Sequence, residues 1–440
     1  MKRRLALLLS ASFVLAGCAH LDGGLTQLPP DQSREASALD NQRDIVLAVE
    51  NPLAPAPTRA GSNLLGYASA KSYGAGRQAL FTLDALKRQY GLREVAAWPI
   101  KPLGVYCAVL QPPPGVSRDE LIASLAADER VQLVQPLQDF SVYSSNEPAT
   151  SRTAQTPSYN DPYIDLQRGF IATDAAAAQI HAQGQGVEVA IVDTGVDTAH
   201  PDLRGRIRDV HDLVGGDAPA FNRDAHGTEV AGIIAANSNN RLGIAGMAPK
   251  TKLNIYKACW YPQVSGAAAR CNSFTLAKAL ATIAGTSARI VNLSLGGPSD
   301  PLLRRLLEQL LHQGRIVIAA MPPDGRLGGF PNDIPGVIVV RTSNSASAPT
   351  GVLNAPGDDI LTTQPGNGYD FTSGSSMAAA HVSGMAALLL SLSPNLDARS
   401  THELMRRTSK STDGLVQVNA DAAVGALTNA GKTSRRVARP

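Results

Sequence analysis

The chain has 440 residues, of which 44% are apolar and 18% charged. That is too long for one ordinary domain and too apolar for a disordered chain, so two or three folded units with sizeable cores are expected. A formal net charge of +3 over this length argues against a dedicated nucleic-acid binder. The basic concentration at Arg435, Arg436 and Arg439 reads as a solvated, flexible tail spanning 427–440.

The first residues read as a targeting segment rather than as part of a fold. Lys2, Arg3 and Arg4 precede an apolar run, Leu5 to Leu15, that is too short to cross a bilayer as a permanent helix. The run ends in Leu15-Ala16-Gly17-Cys18, an order of charge, apolar run and cysteine that resembles the lipobox of bacterial lipoproteins. The resemblance implies a signal peptide over 1–17, lipid on Cys18 and attachment to the cell envelope; several acyl chains make such anchoring stable. Ala19, where an Asp would retain the protein at the inner membrane, implies an outer-membrane lipoprotein, periplasmic or surface facing. The alternative is an ordinary signal peptide followed by a coincidental cysteine. Residues 18–62, rich in Pro, Ser, Asp, Gln and Ala without sustained periodicity, read as a tether.

A small α+β unit is expected over 63–143. Leu80, Leu83 and Leu86 have helical spacing, and Val105 to Leu110 reads as a strand. Ser117 with Glu120 three residues later marks a second helix start, while Val131 to Pro136 and Phe140 to Tyr143 read as extended. The Ser/Thr/Asn/Pro-rich stretch 144–158 is a linker and a good place to be cut. From 159 to 426 apolar strands alternate with helical patterns: Val187 to Val192, Leu253 to Tyr256, Ile290 to Leu295, Arg315 to Ala320 and Val337 to Val340. Continuous apolar strands interleaved with helices imply an α/β domain with a mainly parallel sheet covered on both faces.

Beyond Cys18 the cysteines are Cys107, Cys259 and Cys271. An envelope location is oxidising, and Cys259 and Cys271 flank a short polar stretch, so a loop-closing disulfide fits there. On the loop-entropy argument it would contribute roughly 3 kcal/mol. The spacing lacks the paired CxxC pattern of a zinc site, and no dense carboxylate loop announces a calcium site, so no metal or cofactor is expected.

Three segments carry the chemistry. In Val189-Ala190-Ile191-Val192-Asp193-Thr194-Gly195-Val196-Asp197 a buried strand ends in a carboxylate, at the carboxyl edge where open α/β sheets place their sites. In His226-Gly227-Thr228-Glu229-Val230-Ala231-Gly232 an imidazole opens an apolar helix, with Asp224 upstream as a candidate cap. The positive end of that helix would disfavour a resting charge on the ring. In Thr372-Ser373-Gly374-Ser375-Ser376-Met377-Ala378-Ala379-Ala380-His381 a serine among small residues opens a second apolar helix, whose free N–H groups suit a developing anion. A serine hydroxyl needs a base to take its proton and a carboxylate to orient that base.

The three motifs in the order Asp, His, Ser resemble the subtilases, the subtilisin-like serine peptidases. Gly246-Met247-Ala248-Pro249, Asn292 to Gly297 and Ala355-Pro356-Gly357 add to the resemblance, which spans about 270 residues of the sequence. It implies that Asp193 orients, His226 serves as base then acid, and Ser376 attacks the scissile carbonyl. It also implies that Ser294, Leu295, Gly296 and Gly297 form the edge with which a peptide or protein substrate pairs, and that the unit over 63–143 is an inhibitory propeptide, the chain's own partner. One element is missing. The family places an oxyanion-donating Asn in a turn after a strand; here the run is Ala319-Ala320-Met321-Pro322-Pro323-Asp324-Gly325, with Pro323 at the Asn position. Proline has neither a side-chain donor nor a backbone N–H. Asn332 is a candidate replacement. Two readings follow: an active envelope endopeptidase, and a subtilase-shaped peptide- or protein-binding module with impaired turnover.

Overall fold

The computed structural model describes residues 39–52, 73–144, 159–215, 221–262, 268–343, 349–412 and 415–437. Cys18, the signal segment and the linker over 145–158 lie outside the described residues.

The small unit is a four-stranded antiparallel sheet, order β2-β3-β1-β4, backed by two helices. Its strands are β1 (Ile45–Glu50), β2 (Arg93–Ile100), β3 (Val105–Gln111) and β4 (Val131–Pro136); its helices are α1 (Arg77–Tyr90) and α2 (Arg118–Ala126). The tether expected over 18–62 therefore ends too late. Ile45-Val46-Leu47-Ala48-Val49 is a fully buried apolar run that pairs with both β3 and β4, and without it the sheet would split in two. In α1 the buried positions are Ala79, Leu83 and Leu86, whereas Leu80 faces outward. Ser117 does cap α2, its hydroxyl accepting from the Glu120 N–H at 3.5 Å.

In the large unit a seven-stranded parallel sheet has the order β15-β14-β13-β11-β6-β8-β7. The strands are β6 (Glu188–Asp193), β7 (Ile207–Asp212), β8 (Lys252–Lys257), β11 (Ile290–Leu293), β13 (Ile316–Ala320), β14 (Ile338–Thr342) and β15 (Leu353–Ala355). Because strand side chains alternate, Val189 and Ile191 face one layer while Ala190 and Val192 face the other. Short helices α3 (Arg168–Ala172) and α4 (Ala175–Gln179) precede the sheet. The first layer holds α5 (Ala225–Ala235) and α8 (Ser375–Leu392), and the second holds α6 (Ser273–Ile283) and α7 (Pro301–His312). Helix α8 is long and apolar enough to cross a membrane, but most of it is buried in this core. The helix Ala420–Val437 runs through the segment read as a flexible tail from 427, so the helical chain extends further than composition suggested.

The small unit packs on α6 and α7. Trp98 meets Phe274 edge-on at 4.7 Å, and the N-terminal N–H groups of both helices are met from the small unit: Ser273 N–H donates to Gln138 O (3.0 Å) and Leu302 N–H to Gln135 Oε1 (2.9 Å). Past β4 the chain enters the large unit as β5 (Asp139–Val142), which lies between β12 (Leu295–Gly296) and β10 (Arg270–Asn272) in a second sheet closed by β9 (Cys259–Trp260).

Candidate active site

β6 and β11 run side by side with Val192 opposite Leu293, so Asp193 and Ser294 both emerge at the carboxyl edge of the sheet. Past Asp193 the chain turns at Gly195, whose φ of 135° is a conformation that favours glycine. The start of α5 comes so close here that a β-carbon on Gly227 would overlap the Gly195 carbonyl. This pair of glycines lets the helix carrying His226 lie directly on the turn carrying Asp193.

The result is a buried pair: His226 Nδ1 lies 2.8 Å from Asp193 Oδ1, and the same oxygen accepts the Thr194 N–H at 2.7 Å. Asp193 is fully buried and His226 only 2% exposed. Burial opposes protonation of the ring. The Asp193 charge and hydrogen bond, helped by Glu229, outweigh burial, and the His226 pKa ends above its ordinary value. The helix-dipole expectation of a depressed imidazole is thus overridden by the carboxylates. Glu229 is itself held by Gln364 Nε2 (2.8 Å) and the Thr372 hydroxyl (3.3 Å).

Asp224 stands at the start of α5, but its side chain makes no cap. It pairs instead with Lys257, whose ammonium also donates to Thr194 O. Burial pushes the Asp224 carboxyl up to about 6, with Lys257 opposing. Sequence reading missed Lys257; its signal was a lysine directly following the apolar pair Ile255-Tyr256 at the end of β8.

Ser376 opens α8 and is fully buried. Its hydroxyl donates to Ser294 O at 3.1 Å, while His226 Nε2 is buried without a hydrogen-bond partner. The structure therefore joins Asp193 to His226 and Ser376 to the Ser294 edge, and makes no hydrogen bond between His226 and Ser376. Helices α5 and α8 pack against each other, which keeps the ring and the hydroxyl on one side of the sheet.

Leu295 and Gly296 form β12, facing Val142 and Ser141 of β5, and Gly297 N–H donates to Phe330 O at 2.9 Å. Cys259 and Cys271, cross-strand neighbours on β9 and β10, are joined by a disulfide. Pro323 lines a cavity of about 300 Å³ together with Tyr143, Ser144, Met321, Pro322 and Ser375. Asn332 points its amide elsewhere: Nδ2 donates to Ala320 O at 3.3 Å, and its buried Oδ1 has no partner. Among the described residues no group of three or more His, Cys, Asp or Glu is placed to hold a metal.

Residues 184–430 match the subtilase family. A thermophilic serine proteinase from Bacillus sp. (strain AK1) is 39% identical over 223 residues, covering 48% of this chain and 53% of that protein. Thermitase from Thermoactinomyces vulgaris is 36% identical over 243 residues, covering 53% of this chain and 85% of thermitase. In three dimensions the chain resembles fervidolysin from Fervidobacterium pennivorans, a keratinolytic enzyme related to subtilisin: the TM-score is 0.67 at 20% identity, over 87% of this chain and 61% of that one.

Proposed function

The chain belongs to the subtilase family, and on that footing we propose that it is a serine endopeptidase made as an envelope-anchored, self-inhibited precursor. The observation that carries the reading is the buried Asp193–His226 pair at 2.8 Å, on the same sheet edge as the serine hydroxyl opening α8. Asp193 fixes the ring through Nδ1 and stabilises the imidazolium; His226 Nε2 is left to take the Ser376 proton once that side chain turns from Ser294 O. The Ser376 N–H, at a helix start where no intrahelical acceptor exists, is an oxyanion donor.

The inhibitory role of the small unit is supported by β5, which fills the strand slot between β12 and β10 that a substrate would use. Envelope anchoring rests on Lys2 to Arg4, the apolar run and Leu15-Ala16-Gly17-Cys18; loss of membrane fractionation in Cys18→Ala checks it. For the peptidase itself, a fluorophosphonate probe should label the purified, self-processed protein and fail to label Ser376→Ala. Equal labelling of the two would remove Ser376 as nucleophile. The reading of weakened turnover has one observation in its favour: Pro322 and Pro323 border the cavity, and neither carries an N–H.

A further inference from the structure

The short segment 257–261 touches both members of the Asp193–His226 pair from outside the elements that carry them. It runs from the end of β8 through β9. The Ala258 N–H donates to Asp193 O at 2.9 Å, and the Lys257 ammonium donates to Thr194 O beside it. At the far end of the segment the Tyr261 hydroxyl accepts the His226 N–H at 3.2 Å. One stretch of chain therefore holds the backbone of the base and the backbone of the residue that orients it.

The Tyr261 bond fills a position that the local sequence leaves open. The first N–H groups of a helix have no acceptor within it, and the side chain just before the helix ordinarily supplies one. Asp224 stands at that place in α5, but its carboxylate is held by Lys257. The acceptors come instead from two other segments: Tyr261 takes the His226 N–H, and the Thr194 hydroxyl takes the Gly227 N–H at 3.2 Å. Helix ends fray, and His226 lies in the first turn of α5. The bond that fixes its backbone also fixes where its ring starts.

Tyr261 follows directly on β9, a strand of two residues with little pairing of its own. Two contacts fasten β9 to β10: the Cys259–Cys271 disulfide, and the Arg270 guanidinium over the Trp260 ring at 5.6 Å from its centroid. β10 leads straight into α6, whose start is closed by reciprocal Asn272 and Thr275 bonds. The disulfide thus pins the middle of the segment to a capped helix, with Lys257 two residues before Cys259 and Tyr261 two after.

We infer that Tyr261 is a positioning residue for His226, acting through the start of α5, and that the Cys259–Cys271 disulfide serves catalysis by holding Tyr261 in place. The inference rests on the peptidase reading and adds two groups that act through His226 rather than on the reacting atoms. Without the phenol oxygen the His226 N–H loses its acceptor and the first turn of α5 is free to shift. The ring then meets the Ser376 hydroxyl in a poorer geometry, and a misplacement of about 1 Å can cost on the order of 10²-fold in rate.

The test is the rate of fluorophosphonate labelling of the self-processed protein, separated into a limiting rate and a half-saturating concentration. The probe is too small to pair along β12 and β10, so its limiting rate reports the reaction of Ser376 with His226 and not strand pairing. Tyr261→Phe keeps the ring and removes only the acceptor; at 41% exposure the residue is no core element, so the fold should survive. Its limiting rate should fall about tenfold, with the half-saturating concentration unchanged within about twofold. Cys259→Ala made together with Cys271→Ala should slow labelling similarly, and should add little in the Tyr261→Phe background, because both act through one bond. The final labelled fraction and the melting temperature count folded molecules, so lost structure alone lowers the labelled amount and not the rate per labelled site. An unchanged limiting rate in Tyr261→Phe overturns the positioning role. Independent, multiplying losses overturn the disulfide's part in it. An unmodified protein that never labels defeats the peptidase reading itself, a result distinct from either.

Discussion

Around Asp193 and His226 the polar groups are densely tied: the carboxylate accepts from both the ring and Thr194, Lys257 locks the following turn to Asp224, and Glu229 is held by Gln364 and Thr372. Around the cavity that Tyr143 and Pro323 line the surroundings are sparse. Pro322 and Pro323 offer no donor, and the Asn332 amide is turned to Ala320 O. The carboxylate–imidazole side of the site is held by several hydrogen bonds, although His226 Nε2 has no partner, whereas the side that would stabilise an oxyanion relies on the start of α8. The two functions of a serine peptidase site are thus built by separate parts of the chain, and one can thin while the other stays intact.

The sharpest test of the supported side is Asp193→Asn, which keeps the shape and leaves His226 in the wrong tautomer. A fall in kcat on the order of 10⁴ is expected, the magnitude known from the trypsin-like triad; a fall under tenfold would mean that the ring is oriented by something else. On the sparse side Pro323→Asn should raise kcat by about 10²- to 10³-fold, the reverse of deleting the subtilisin donor. An unchanged kcat would show that another group already serves the oxyanion and would erase the contrast. Lys257→Met leaves Asp224 buried and unpaired, so chemical denaturation should show a loss of about 3 kcal/mol, with labelling of Ser376 retained in the folded fraction. Glu229→Gln should have the smallest effect. The Glu229 charge helps hold the His226 pKa up, and the base works only when deprotonated, so the acid limb of kcat/KM should move to lower pH. A limb that stays put would place Glu229 in packing alone.

Much of this was legible in the sequence because it is local. The strands β6, β8, β11, β13 and β14 announce themselves as short, largely apolar runs, and the three motifs sit at their ends or at helix starts. What was not legible depends on distant pairing. Ile45 to Val49 looks like a stray apolar patch in a Pro- and Ser-rich tether until β3 and β4, sixty and more residues on, close around it. Nothing in Asp139 to Val142 says that its neighbours are Leu295 and Cys271. The elevated His226 pKa likewise follows from carboxylates three and thirty-three positions away, which outweigh the one feature the local sequence displays, a helix start.

The two-sided slot around β5 has a consequence for what the proposed peptidase could accept in place of β5. A strand already in a folded sheet has at least one edge occupied, so it cannot pair with β12 and β10 at once. Only a segment with both edges bare, drawn out over at least the four residues of β5, can enter. For the peptidase proposed above, the geometry would therefore sort chains by their folding state before any side chain is read: well-folded neighbours would be spared, and loops, frayed termini and damaged proteins taken. The disulfide between Cys259 and Cys271 ties β10, the outer edge of that slot, to β9 behind it.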